Sequence, residues 1–559
     1  MSWPTVRNVQ KLILLTIQVV SSFVPRPTAR SRLQWTTRAT ASCRLLSSTE
    51  GPNRDDLPTP IYHHIDLYNE NSYTDDVETV LGRVDGFMRL LEQQEAWPLL
   101  HESKIRDRIH SQHTRDCEAA SLNLAPESPV LRDQQCSTRY EWIFSGTKSY
   151  PLAAQSLEPI LNTTAISTIR EAAEAHWENP AFCTSRFTYQ RPGNYEAHVT
   201  DLGERVRSIV NETLTTRIYP LIRDVFWNDP TCSLAPVDQL CVYDALYIRY
   251  NSTQAKLLDH IGAGQPLHRD LGLISINIRL NNDFEGGGTF FENQLLDRKE
   301  SDLEPGITPL TPLERGHVLL HKSSERHAGA STVDGVRDIL VFFVSGVSCE
   351  TGSGSGSTVP MPIQSAIAKQ SRGYCDDCYS NNPLRAIFCR IAHQRYAVRV
   401  APSDGEAWQY LGTAFMEYDT YLAVMKASAG LRGAVLQTAT RCLQLATRLT
   451  PCDSRVWNNL ALTLNRQWKL KSDASLLNTT EMAFATAHQL LKMSREKCDV
   501  EGELDNVNVN YGLFLSNQDR FMEAGCILEG TALKKIIDQD CGKAVEDAYE
   551  LWKFCRQQQ

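Results

Sequence analysis

Pro266-Leu267-His268-Arg269-Asp270 is followed closely by Leu273 to Leu280, where apolar Ile274, Ile276 and Ile278 alternate with polar Ser275, Asn277 and Arg279. Alternation of period two marks a strand with two unlike faces. In the segment ahead of it, His268 and Asp270 stand two apart, so on extended backbone the imidazole and the carboxylate point the same way. The adjacent pair Asp259-His260 would instead turn to opposite faces. Outward from this stretch the chain breaks into short strand-like runs. Ala245 to Tyr250 comes before it; Glu285-Gly286-Gly287-Gly288 then marks a tight turn ahead of Thr289 to Phe291. Gly316 to His321 reads as another strand, Asp334-Gly335 as a hairpin turn, and Val336 to Val344 as the closing strand. Many short strands at such spacing indicate a sandwich or jelly roll. Helices are expected before them, over Thr164 to Trp177 and Leu202 to Phe226.

A second histidine, His327, lies well downstream beside the next strand pair, and Arg337 opens the final strand. Two neutral imidazoles and one carboxylate on a single face suit iron(II) and leave coordination positions open. A 2-oxo acid can take two of these and dioxygen the third. The far carboxylate of that acid needs a buried cation, and a guanidinium offers a bidentate fork that an ammonium does not. Arg337 is the natural candidate. His317 and His321 read as packing or substrate-side residues rather than ligands. Gly286 to Gly288 reads as a turn that lets backbones approach, since no phosphate-loop lysine or helix follows.

The motifs Tyr247-Ile-Arg-Tyr250, Pro266-Leu-His-Arg-Asp270, Ile276-Asn-Ile-Arg-Leu-Asn281, Phe284-Glu-Gly-Gly-Gly-Thr-Phe290, Arg315-Gly-His-Val-Leu-Leu-His321, His327-Ala-Gly and Gly335-Val-Arg337-Asp-Ile-Leu-Val-Phe-Phe343 resemble, in order and spacing, the catalytic domain of prolyl 4-hydroxylases and procollagen lysyl hydroxylases. The resemblance implies a double-stranded β-helix, or jelly roll, with helical support. It also implies iron(II), 2-oxoglutarate and dioxygen, with ascorbate as helper. Carried over by position, His268, Asp270 and His327 match the metal ligands and Arg337 the co-substrate anchor, while Asn277 and Tyr250 fall where the family lines its 2-oxoglutarate pocket. Arginine at position 337 is more like the lysyl hydroxylases and oxygen-sensing prolyl hydroxylases than the collagen prolyl 4-hydroxylases, which place lysine there. Arg279 occupies a position where relatives carry a smaller or aromatic residue; it is either a second cation for the co-substrate or the partner of a nearby acid.

The 559-residue chain is too long for one compact domain, and its 42% hydrophobic and 22% charged content is that of a folded globular protein. A net charge of −9 argues against a nucleic-acid binder that relies on a broad basic surface. Residues 1–50 read as a targeting presequence. Arg7 and Lys11 precede an apolar core, Leu12 to Val20, too short to span a bilayer, and Phe23 then leads an arginine-, serine- and threonine-rich stretch whose one acid is the terminal Glu50. This is similar to the bipartite presequences of plastids of secondary origin; an ordinary secretory signal into the endoplasmic reticulum and a mitochondrial presequence are the alternatives. No later apolar run has the length of a transmembrane helix.

Residues 51–138 form a helical or irregular N-terminal region, in which Val77, Leu81, Val84, Met88 and Leu91 recur at helical spacing behind the candidate caps Thr74 and Asp75. Residues 139–350 form the oxygenase domain and 351–362 a Gly/Ser linker. Residues 363–559 read as an all-α domain. There Ala407-Trp408-Gln409-Tyr410-Leu411-Gly412 is echoed by Val456-Trp457-Asn458-Asn459-Leu460-Ala461, 49 residues on (408 to 457), and more weakly by Asn508-Val509-Asn510-Tyr511-Gly512. The pattern is tetratricopeptide-like, at a period longer than the usual one of about 34.

Sixteen cysteines are scattered without a disulfide framework; the close pair Cys375 and Cys378 is half a zinc site, a redox pair or two unrelated thiols. Asn162, Asn211, Asn251 and Asn478 lie in glycosylation sequons. Three functions follow: hydroxylation of prolyl or lysyl residues in a protein substrate, with the repeats offering a peptide or protein partner surface; hydroxylation of a free amino acid or other small molecule; or a catalytically silent adaptor. Retention of four converging polar groups argues against the last.

Overall fold

A computed structural model describes residues 76–93, 102–121, 124–128, 136–145, 150–179, 193–229, 234, 237, 239–258, 260, 262–270, 272–297, 308–347, 382–495 and 497–528. The chain divides into two compact units, residues 74–510 and residues 1–73 with 511–559. The presequence, the 351–362 stretch, Cys375, Cys378, Asp259, Thr74 and Asp75 lie outside the described residues.

The first unit opens with helices α1 (Val77–Gln93) and α2 (Glu102–Ser121). The side chain of Asp76 accepts from the Thr79 amide at 2.7 Å and so caps α1. Strands β1 (Tyr140–Ser145) and β2 (Tyr150–Ser156) are followed by α3 (Thr163–Glu178) and β3 (Asn194–His198). The helix expected over Leu202 to Phe226 is a composite. Segments α4 (Glu204–Thr213) and α5 (Tyr219–Arg223) are each followed by a π-helical turn, and buried Val206, Val210, Leu214, Ile218, Leu221 and Val225 line its inner face. Then come β4 (Gln239–Asn251), α6 (Ser252–Lys256), β5 (Ile274–Arg279), β6 (Phe284–Gly286), β7 (Thr289–Phe291), β8 (Val318–Lys322), β9 (His327–Gly329) and β10 (Thr332–Val347).

All strand pairs are antiparallel. The large sheet runs β1-β2-β8-β5-β10-β4-β3, with β6 joined to β10, and β7 pairs β9 in a second sheet. The mixed class read from the sequence therefore holds: antiparallel sheets with supporting helices, and a helical C-terminal region. Strand β5 is buried on both faces up to Ile278, so its polar alternates are interior residues rather than solvent-facing ones. Asp334-Gly335 corrects the expected hairpin. It lies inside β10, which pairs with β6 from Thr332 to Gly335, with a register shift between Thr332 and Asp334, and then runs on against β4 and β5. Gly335 sits at φ +73°, and a Cβ there would collide with the Asp283 carbonyl oxygen, so only glycine fits where the strand passes β6.

Beyond residue 381 the described chain is helical: α7 (Pro383–Val400), α8 (Gly405–Val424), α9 (Ala429–Leu449), α10 (Ser454–Lys471), α11 (Ser475–Arg495), α12 (Glu501–Ser516) and α13 (Phe521–Leu528). The starts of α8 and α10 match in two details. Asp404 caps α8 and Asp453 caps α10, each worth about 1 kcal/mol. Trp408 Nε1 donates to the Pro402 carbonyl at 2.8 Å, and Trp457 Nε1 to the Pro451 carbonyl at 2.7 Å. Helices α8 to α11 are each 18 to 21 residues long, which accounts for the long period. Gly412 lets α9 approach at Leu443, and in the second unit Gly512 does the same for Leu528 of α13. No helix among the described residues is long and apolar enough to cross a membrane.

The sequon asparagines Asn162 and Asn251 are helix caps, and Asn211 accepts from the Ala125 amide at 2.8 Å. Replacing Gly335 with alanine adds a methyl group in a left-handed backbone conformation against a carbonyl. We expect a loss of about 1–3 kcal/mol, read as a lower denaturant midpoint with unchanged slope.

Candidate metal centre

The segment Pro266–Asp270 runs extended beside β9. The His268 amide donates to the His327 carbonyl at 2.8 Å and the His327 amide returns the bond at 2.9 Å, an isolated antiparallel bridge. Gln265 donates to Gly329 at 2.9 Å and Asp270 to Ser323 at 3.1 Å, so the pairing extends to both sides. Main-chain bonds alone thus bring together histidines far apart in sequence.

Their side chains converge on Asp270. Nε2 of His268 lies 3.3 Å from Asp270 Oδ1, and Nε2 of His327 lies 3.4 Å from Oδ2. The three ligand atoms fall within 4.8 Å of one another. Neighbouring donors at about 2.1 Å from one octahedral ion sit roughly 3 Å apart, so the set fits a single divalent cation. The other ring nitrogens are engaged: His268 Nδ1 lies 2.8 Å from the Pro266 carbonyl and His327 Nδ1 2.9 Å from the Glu325 carbonyl. A carbonyl only accepts, so each Nδ1 carries a proton and each Nε2 is the nitrogen that faces the centre.

Burial raises the Asp270 pKa, but the His327 and His268 imidazoles outweigh it and hold the carboxyl well below the usual range. Burial lowers His268, but the hydrogen bond to Asp270, that carboxylate's charge and the Pro266 carbonyl together more than reverse this. The carboxylate is further fixed by Ser275, whose hydroxyl donates to Oδ2 at 2.6 Å and lies 2.9 Å from the Ser323 hydroxyl. His321 packs edge-on behind His327 with ring centroids 4.5 Å apart, and burial pushes its pKa down to about 3, so it stays neutral. His317 holds the Ser156 carbonyl at 2.9 Å. Neither joins the donor set.

The donors line a cavity of about 260 Å³ that also receives Arg337, Tyr250, Asn277 and Thr289. Arg337 and Tyr250 are register partners on β10 and β4, and the guanidinium carbon lies 5.1 Å from the Tyr250 ring centre. Arg337 is 2% exposed, its Nη1 has no hydrogen-bond partner, and no carboxylate among the described residues pairs with it. Burial pushes its pKa down accordingly. Gly287, at φ +71°, makes room for it: a Cβ there would stand 2.8 Å from Arg337 Cδ. Asn277 Nδ2 reaches Thr289 Oγ1 at 3.5 Å across the cavity wall.

All six residues singled out in the sequence, His268, Asp270, His327, Arg337, Asn277 and Tyr250, are brought to this one cavity. Arg279 takes neither expected role: it does not line the cavity, and it holds carbonyls instead of an acid. It donates to the carbonyls of Asn281 and Pro312 at 3.0 and 3.1 Å, and lies over the Phe284 ring. Ser275 was visible on the alternating strand. Thr289 and Ser323 carry no sequence signal beyond lying near the turn and the second histidine.

No protein-family model matches the sequence, and no curated protein does. Among solved structures the chain is similar to an oxidoreductase of the 2OG-Fe(II) oxygenase family from Burkholderia pseudomallei, at 14% identity over 33% of this chain and 80% of that one, with a TM-score of 0.23. A prolyl hydroxylase from Trichoplax adhaerens, in complex with a hypoxia inducible factor peptide fragment, aligns at 11% identity over 42% and 91%, TM-score 0.24. A prolyl 4-hydroxylase from Phytophthora capsici aligns at 13% over 66% and 98%, TM-score 0.22. Overlaps of that size leave the assignment to the residues themselves.

Proposed function

We propose that the chain is an iron(II)- and 2-oxoglutarate-dependent dioxygenase that hydroxylates prolyl or lysyl side chains of a protein substrate. Substrate C–H, dioxygen and 2-oxoglutarate would give substrate C–OH, succinate and carbon dioxide. The observation that carries this reading is Arg337: a buried guanidinium without an acid, opening on the same cavity as two imidazoles and a carboxylate. Burying an unpaired charge costs several kcal/mol, and an anionic co-substrate would offset that cost.

His268, Asp270 and His327 would hold the iron, which supplies dioxygen activation coupled to keto-acid decarboxylation. The residues around it have separate tasks. Arg337 receives the far carboxylate, and Tyr250 covers one face of the guanidinium and keeps water from it. Ser275 fixes the Asp270 carboxylate, and the two carbonyls at Pro266 and Glu325 fix the imidazole tautomers. The cavity lies below the range of roughly 300–1,000 Å³ that encloses whole small-molecule ligands. It has room for a keto acid and one projecting side chain, with partly exposed Tyr243, Asp244 and Phe343 also on its wall.

Succinate release from 2-oxoglutarate, measured with iron(II) and ascorbate, is expected from the wild type and absent from His268→Ala; equal release from both would remove the proposed chemistry. In Arg337→Gln the KM for 2-oxoglutarate should rise at least about thirtyfold, the lower end for a lost buried charge pair. Mass spectrometry of a peptide library should find one oxygen gained at proline or lysine. Turnover of free amino acids with peptides untouched would refute the peptidyl substrate and keep the oxygenase.

A further inference from the structure

An arginine stands next to the donors on each of the two segments, Arg269 and Arg326, and both reach the helical region. Arg269, between His268 and Asp270, extends Nη1 to Glu406 Oε1 at 2.9 Å and Asp453 Oδ2 at 3.2 Å, while its Nε donates to the Ser324 carbonyl at 2.9 Å. Arg326, immediately before His327, forks onto Glu503 at 2.7 and 2.8 Å, pairs with Glu292, and lies 3.5 Å from Asp453 Oδ1. Arg455 closes the cluster, meeting Asp453 at 2.8 Å and Glu406 at 3.3 Å. Glu406 stands in the first turn of α8 and Asp453 is the cap of α10. The Asp453 side chain is fully buried, and those of Arg269 and Arg326 are 11% and 2% exposed. Charges this deep are costly unless each is met by its opposite, as these are.

We propose that the helical region is part of the metal centre. Asp453, Glu406 and Glu503 act as positioning residues that hold the His268–Asp270 segment and the His327 strand in ligating geometry through Arg269 and Arg326. This deepens the reading of the site given above and rests on it. The backbone bridge sets which residues face one another; the arginines fix where the paired segments lie against the helices. Support of this kind behind metal ligands is worth about 10–100-fold in metal affinity.

The test is calorimetric titration of Mn(II) into full-length, chelator-stripped protein. Asp453→Asn should weaken Mn(II) binding about tenfold or more, and Glu503→Gln, whose carboxylate is partly exposed, by about threefold. The control is Asp419→Asn. It removes an equally buried acid that pairs with Arg432 at 2.8 Å within the helical region, so it should lower Tm while leaving Mn(II) affinity within about twofold. Wild-type affinity in both Asp453→Asn and Glu503→Gln, at temperatures where circular dichroism shows them folded, overturns the inference and leaves the proposed chemistry standing. If Asp453→Asn does not fold, Glu503→Gln decides alone. A wild type that binds no Mn(II) removes the metal centre and this inference together.

Discussion

The two main-chain hydrogen bonds exchanged by His268 and His327 are the constraint from which the rest of the site follows. An antiparallel bridge is indifferent to side-chain identity, so it fixes the separation of two segments whatever their side chains do. Once it is made, Asp270 stands between the two imidazoles, and the carbonyls two residues back from each histidine are in place to take the Nδ1 protons. The donors are therefore prepared before any cation arrives. Acid and imidazole meanwhile share protons, which a cation would displace.

Charge is distributed unequally around this centre. On the cavity side Arg337 has a tyrosine face and no acid; on the helical side Arg269 and Arg326 are surrounded by carboxylates. The first arrangement suits an anion that comes and goes, and the second a permanent attachment. A guanidinium serves both because it stays protonated at any depth and offers donors in a rigid plane. Glycine works to the same end: at Gly287 the missing side chain is the space that the Arg337 stem occupies.

Much of this was legible in the sequence because it depends on local pattern. Period-two alternation gave β5, and His268-x-Asp270 ahead of it gave a shared face. The 49-residue echo of Trp408 at Trp457 corresponds to two tryptophans making the same bond to the carbonyl of a proline six residues earlier. Other features had no local trace. Asp334-Gly335 has hairpin composition, yet β6 pairs with the dipeptide itself and β4 takes the strand from Val336 on, and tertiary pairing overrides the turn. Thr289 and Ser323 gain their roles only by arriving beside Asn277 and Ser275. The cluster joining Arg269 and Arg326 to Asp453 links residues more than a hundred positions apart. Arginine between two ligands reads from sequence as a solvated side chain.

Arg337 and Asp338 are neighbours on β10, and the strand turns them to opposite sides. Arg337 enters the cavity, and Asp338, wholly buried, takes Arg249 at 2.7 Å and Arg170 at 3.2 Å outside it. A slip of β10 by one residue would bring a carboxylate into the anion site and leave two guanidinium groups facing a third. Misalignment is thus penalised on both faces of the sheet at once. The same dipeptide that equips the cavity also proofreads the threading of the strand that carries it.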